Sequence, residues 1–73
     1  MEFSDVLKNE YNSQFIKSFS YKGNTYIKAM EVSKNDFTYR YFLITENSLE
    51  EITDLTLIAY FNETEGFSSD LNY

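Results

Sequence analysis

The chain has 73 residues, 42% of them apolar and 25% charged, with no cysteine, histidine or proline. That length is one small domain with roughly 3–5 kcal/mol of folding margin, and the missing residue types exclude disulfides, thiolate or imidazole metal sites and histidine acid–base chemistry. Twelve acidic residues against six basic give a net charge of −6, which argues against direct binding to a phosphate backbone.

Residues 3–11 carry Phe3, Leu7 and Tyr11 at i, i+4 and i+8, with Asp5, Lys8, Asn9 and Glu10 on the wet side. This is the pattern of a short amphipathic helix, and Asn12-Ser13 offers its stop. Residues 15–21 alternate as a strand, with Phe15, Lys17, Phe19 and Tyr21 on one face. Lys22-Gly23-Asn24 is a tight-turn sequence, because Gly and Asn tolerate positive φ. Residues 25–32 return as a second strand, Tyr26, Lys28, Met30 and Val32 opposed to Ile27, Ala29 and Glu31. Ser33-Lys34-Asn35-Asp36 is a polar turn, and residues 37–45 are a third strand rich in aromatic and β-branched side chains.

The third strand is apolar on both faces, Tyr39, Tyr41 and Leu43 one way and Phe42 and Ile44 the other. Such a strand needs cover on both sides, and one amino-terminal helix supplies only one. The carboxy-terminal segment, a second subunit or a target must supply the other. A homodimer through the aromatic sheet surface, built from Tyr39, Tyr41, Phe42 and Ile44, is the expectation.

Ser48-Leu49-Glu50-Glu51 has the form of a capping box and predicts a helix from Leu49. Leu49, Ile52, Leu55 or Thr56, and Ala59 continue it as a stripe to about Phe61, with a break near Asp54; from Leu55 onward the same residues also fit a fourth strand. Residues 62–73 read as a loose acidic tail that Phe67, Leu71 or Tyr73 tacks down. The whole is therefore expected to be a single α+β domain over residues 1–73: helix, three-stranded antiparallel meander, carboxy-terminal helix or fourth strand.

Charge is distributed unevenly. All six basic residues, Lys8, Lys17, Lys22, Lys28, Lys34 and Arg40, lie in residues 1–40. Residues 41–73 contain Glu46, Glu50, Glu51, Asp54, Glu63, Glu65 and Asp70 and no cation. Either this half is a solvated face that keeps the protein soluble, or it meets a basic surface on a partner. Paired carboxylates could serve glycoside hydrolysis or a divalent metal, but catalytic pairs need a cleft that 73 residues rarely enclose, so no enzyme activity, cofactor or metal is expected. Asn62, Thr64 and Gly66 depart from a calcium loop, since Gly66 falls fifth and Tyr73 twelfth where glycine should be sixth and glutamate twelfth. Strand aromatics flanked by Lys17, Lys22, Lys28 and Arg40 could stack single-stranded bases, a reading that the net charge opposes. No stretch is apolar enough for a secretory signal or a membrane span, so a cytoplasmic protein is expected.

A small acidic chain without Cys, His or Pro and heavy in Asn, Tyr, Phe, Lys, Ile and Ser resembles the early host-takeover proteins of phages of AT-rich Gram-positive bacteria. Several families of that kind are DNA mimics, and in size and charge the chain is similar to the staphylococcal-phage inhibitors of the sliding clamp. The resemblance implies a non-enzymatic inhibitor in the bacterial host cytoplasm. Its acidic residues would stand in for phosphates on the basic surface of a DNA-handling protein, the clamp favoured, and would block DNA loading. Gln14-Phe15-Ile16-Lys17-Ser18-Phe19 is a poor match to the peptide by which ordinary partners dock on a clamp.

Overall fold

A computed structural model describes residues 3–32 and 38–66. Helix α1 (Phe3–Tyr11) is followed by strands β1 (Ser13–Tyr21), β2 (Asn24–Glu31), β3 (Thr38–Thr45) and β4 (Ser48–Glu51), helix α2 (Leu55–Phe61) and a π-helical turn (Asn62–Gly66). The strands form one antiparallel sheet in the order β1-β2-β3-β4. The fold is α+β, as expected. The polar turn expected over residues 33–36, and the anchoring of a tail by Phe67, Leu71 or Tyr73, lie outside the described residues.

Each helix covers one face of the sheet. The α1 stripe falls as its spacing requires: Leu7 is fully buried against Ile27, Ala29 and Phe42, and Phe3, Tyr11, Ile44 and Leu49 pack around them. Asn12, at φ 53°, ends the helix in the left-handed region that asparagine tolerates. On the opposite face Phe61 of α2 is buried against Tyr26 and Tyr41, with Phe19, Tyr21, Leu43, Ile52, Leu57 and Ile58 around them. The cover required by the two-sided third strand thus comes from the carboxy-terminal segment of the same chain.

Three local features differ from the sequence expectation. The first is a bulge in β1. Phe15 pairs with Ala29 while Lys17 pairs with Lys28, so Ile16 is an extra residue. Because side chains alternate along a strand, one extra residue puts Phe15 on the α1 side, away from Lys17, Phe19 and Tyr21.

The second is the chain around residue 50. Ser48–Glu51 is a strand, not the first turn of a helix, and the fourth strand falls there instead of at residues 55–61. Thr45 pairs with Ser48, Ile44 with Leu49, Leu43 with Glu50 and Phe42 with Glu51. The Ser48 hydroxyl meets Thr45 Oγ1 at 2.9 Å instead of capping a helix. A two-residue loop, Glu46-Asn47, closes this hairpin with Glu46 at φ 51°. The β1–β2 hairpin has the matching loop Lys22-Gly23, at φ 51° and 82°, so that Lys22 takes the first positive-φ position and Asn24 joins the strand.

The third is α2. It begins after the expected break: Asp54 is its N-cap and accepts hydrogen bonds from the amides of Thr56 (3.0 Å) and Leu57 (3.3 Å). Its core-facing stripe is the buried Phe61 with the half-buried Leu57 and Ile58, whereas Leu55, Thr56 and Ala59 of the expected stripe are exposed. Leu55 is 80% exposed.

Candidate functional site: the acidic half and its anchors

The sequence places seven carboxylates in residues 41–73, and the fold separates them into two kinds. Glu46 stands exposed at the β3–β4 hairpin tip, Glu50 is exposed on β4, and Glu63 is exposed in the π-helical turn. Glu51 and Asp54 hold the fold together. Glu65 lies in the π-helical turn, and Asp70 lies outside the described residues. The helix expected from Leu49 would set Glu50 and Asp54 one turn apart on the same face; with residues 48–51 in a strand, they are not. Glu50 lies opposite Leu43 on the α2 side, and Glu51 lies opposite Phe42 on the α1 side. The seven therefore do not share one face; the exposed set is Glu46, Glu50, Asp54 and Glu63.

Arg40 is the residue that sequence reasoning missed. Read in the sequence as one of six cations and as a possible flank for stacked bases, but not as an anchor, it sits on the α1 side of β3 opposite Ala29. Its Nη1 donates to the Tyr11 carbonyl at 2.7 Å, and its Nε lies 3.2 Å from Glu51 Oε2. The Tyr11 carbonyl also accepts from Ser13 Oγ at 2.9 Å, and the cation beside it meets the negative end of the α1 dipole. One guanidinium thereby ties α1, β3 and β4 together. Replacing Arg40 by methionine is expected to cost about 2 kcal/mol, most of it from the charged bond to Tyr11, because the Glu51 pair is partly exposed. Glu51→Gln should cost less than about 1 kcal/mol. Urea unfolding of the two variants checks the ranking, and equal losses would mean that the ion pair, not the helix-end bond, is what stabilises this corner.

The residues proposed for a dimer surface do not form one. Tyr41 and Phe42 are buried within the single chain on opposite sides of the sheet, at 1% and 0% exposure. Tyr39 packs in the α2-side cluster and Ile44 in the α1-side cluster. The Tyr41 hydroxyl donates to Asn62 Oδ1 at 3.0 Å, which joins β3 to the turn after α2. Consecutive strand residues point to opposite faces, so a set spanning both cannot be one surface when each face has its own helix.

Two of the four cations that could have tracked phosphates are also redirected. Lys28 is fully buried, with its Nζ 4.0 Å from the Tyr39 ring centroid. Arg40 holds Tyr11 and Glu51. The rings of Tyr26, Tyr41 and Phe61 are interior, so they offer no face to an incoming base. Lys22 remains exposed at the β1–β2 turn. Among the described residues no three His, Cys, Asp or Glu side chains are grouped as metal ligands would be, and no helix is long and apolar enough to cross a membrane.

The class defined by these observations is a four-stranded antiparallel meander with one helix on each face and an all-anionic second half. Comparison with protein-family models, with curated proteins and with solved structures found no match.

Proposed function

We propose that this protein is a non-enzymatic inhibitor that docks its acidic half on the basic, DNA-binding surface of a bacterial DNA-handling protein, with the sliding clamp as the favoured target. The observation that carries this reading is that residues 41–73 hold seven carboxylates and no cation, while Glu46, Glu50, Asp54 and Glu63 stand exposed from the hairpin tip through β4 and α2 into the π-helical turn. Duplex DNA carries one charge per roughly 1.7 Å of its axis, and a basic groove shaped for it attracts a dense anionic patch by the same long-range field. The protein would act in the bacterial cytoplasm, where it would occupy the surface that DNA needs.

A second reading has its own support. Glu51 and Asp54 serve the fold, and Glu50 and Glu51 face opposite sides of the sheet, which suits an accessory protein whose charge serves solubility.

The structure selects the variant that separates the two. Glu46, Glu50 and Glu63 are exposed, so their reversal to lysine spares the Arg40 anchor and the α2 cap. Binding to a purified bacterial sliding clamp, followed by calorimetry, is expected to weaken steeply as salt is raised. The triple variant E46K/E50K/E63K is expected to bind about 100-fold more weakly at physiological salt. Binding that is unchanged in the triple variant, or absent for the natural sequence at low salt, would remove the mimicry reading for this target.

A further inference from the structure

Both faces of the sheet are covered, but its β1 edge is not paired with a strand among the described residues. On the α1 face, over the start of β1, lies an open groove of about 430 Å³ lined by Ser4, Asp5, Lys8, Gln14, Phe15 and Val32 among others. Large apolar side chains are left in water here: Phe15 is 45% exposed, the neighbouring Ile16 38% and Val32 52%. A strand edge offers backbone N–H and C=O groups to another strand, and exposed apolar side chains along it favour that pairing.

We infer that this edge and groove form the contact by which two copies of the chain associate, about a two-fold axis that pairs residues 13–15 of one copy with the same residues of the other. Three observations favour a second copy as the occupant. The groove wall carries one acid and one base, Asp5 and Lys8, three residues apart on α1. A two-fold axis sets Asp5 of each copy against Lys8 of the other, so the surface is complementary to itself. Next, the bulge at Ile16 bends β1 beyond this point, which limits pairing to the short stretch beside the groove and disfavours an open-ended array. Finally, α1 and β1 together carry Asp5, Glu10, Lys8 and Lys17, two acids and two bases, so association here brings near-neutral elements together. The opposite edge, β4, carries Glu50 and Glu51 and follows Glu46 of the hairpin loop, and two such edges would place like charges against each other.

In the pair, Phe15 of each copy enters the groove of the other and leaves water. The acidic β4–α2 regions stay on the outside, so this association does not depend on the function proposed above. The salt responses of the two are opposite. Dimerisation of a chain of charge −6 through an apolar, hydrogen-bonded seam holds or tightens as salt screens the net repulsion, whereas docking on a basic partner weakens.

The test is sedimentation equilibrium of the full chain at about 200 μM, at low and at high salt. The natural sequence is expected at about twice the 8.7 kDa of one chain. Phe15→Glu is expected to raise the dimer dissociation constant by about 100-fold or more while the circular dichroism of the fold is retained, because the substituted side chain is already half exposed. Asp5→Lys should weaken the dimer, and the swap D5K/K8D should restore it, a rescue that a merely structural role for either residue would not give. A natural sequence that sediments as a monomer at both salt concentrations would overturn the inference. So would a dimer indifferent to both Phe15→Glu and the charge swap.

Discussion

Phe61→Ala is expected to leave much of the protein unfolded at 25 °C without denaturant. Phe61 is fully buried, and five rings surround it: Phe19 at 4.9 Å between centroids, Tyr26 at 5.0 Å, Tyr41 at 5.2 Å, Tyr21 at 5.3 Å and Tyr60 at 6.0 Å. All five contacts are edge-on or tilted, which is favourable for ring quadrupoles. Truncating a buried phenylalanine costs about 3–5 kcal/mol, and the folding margin of a chain this size is of the same order. The loss also releases α2, because seven residues do not hold a helix in water without docking. Phe61→Leu keeps the apolar volume and forfeits the ring geometry, so it should cost about 1–2 kcal/mol beyond the small change in area. Near-ultraviolet circular dichroism of the tyrosines, followed through urea unfolding, measures both variants. A midpoint for Phe61→Ala close to that of the natural sequence would mean that α2 does not close this face.

Leu7→Ala tests the other face and should cost about 2–5 kcal/mol. Leu7 is fully buried on Ile27, Ala29 and Phe42, and it is the central residue of the α1 stripe. Nine residues are too few for an independent helix, so α1 and the sheet face that it covers should be lost together in one cooperative transition. Leu55→Ala is the internal control. It is the same chemical change at a position 80% exposed, and it should move stability by no more than about 0.5 kcal/mol. Thermal unfolding by far-ultraviolet circular dichroism distinguishes the two. Similar effects at Leu7 and Leu55 would contradict the assignment of one helix to each face.

Together these expectations describe a thin sheet that persists because its own two helices close it. The Arg40 anchor belongs to the same arrangement, since it joins the end of α1 to β3 and β4 where the helix leaves the sheet. Glu46, Glu50 and Glu63, free of such duties in the fold, are the positions at which charge can be altered with least effect on stability.

Features with a local period were legible in the sequence itself. Phe3, Leu7 and Tyr11 define the α1 stripe, the alternation through Tyr26 to Ala29 and Tyr39 to Ile44 defines β2 and β3, and Lys22-Gly23 marks the first hairpin. The accumulation of negative charge after residue 40 needs no structure to be seen. What the tertiary structure decided lies where two partners compete for the same residues. Ser48 and Glu51 have the spacing of a capping box, but pairing with Thr45 and Phe42 adds a strand to a sheet already formed, and four residues have too little period of their own to resist it. The extra residue at Ile16 is defined only by the partner strand, so no pattern within β1 announces that Phe15 changes face. Likewise Asp54 reads as surface charge in the sequence, and Glu51 as half of a capping box. Only the approach of Arg40 and the start of α2 make one an anchor and the other a cap. Periodicity is written along the chain, whereas register, cover and ion pairing depend on residues far apart in sequence, which meet only once the sheet has formed.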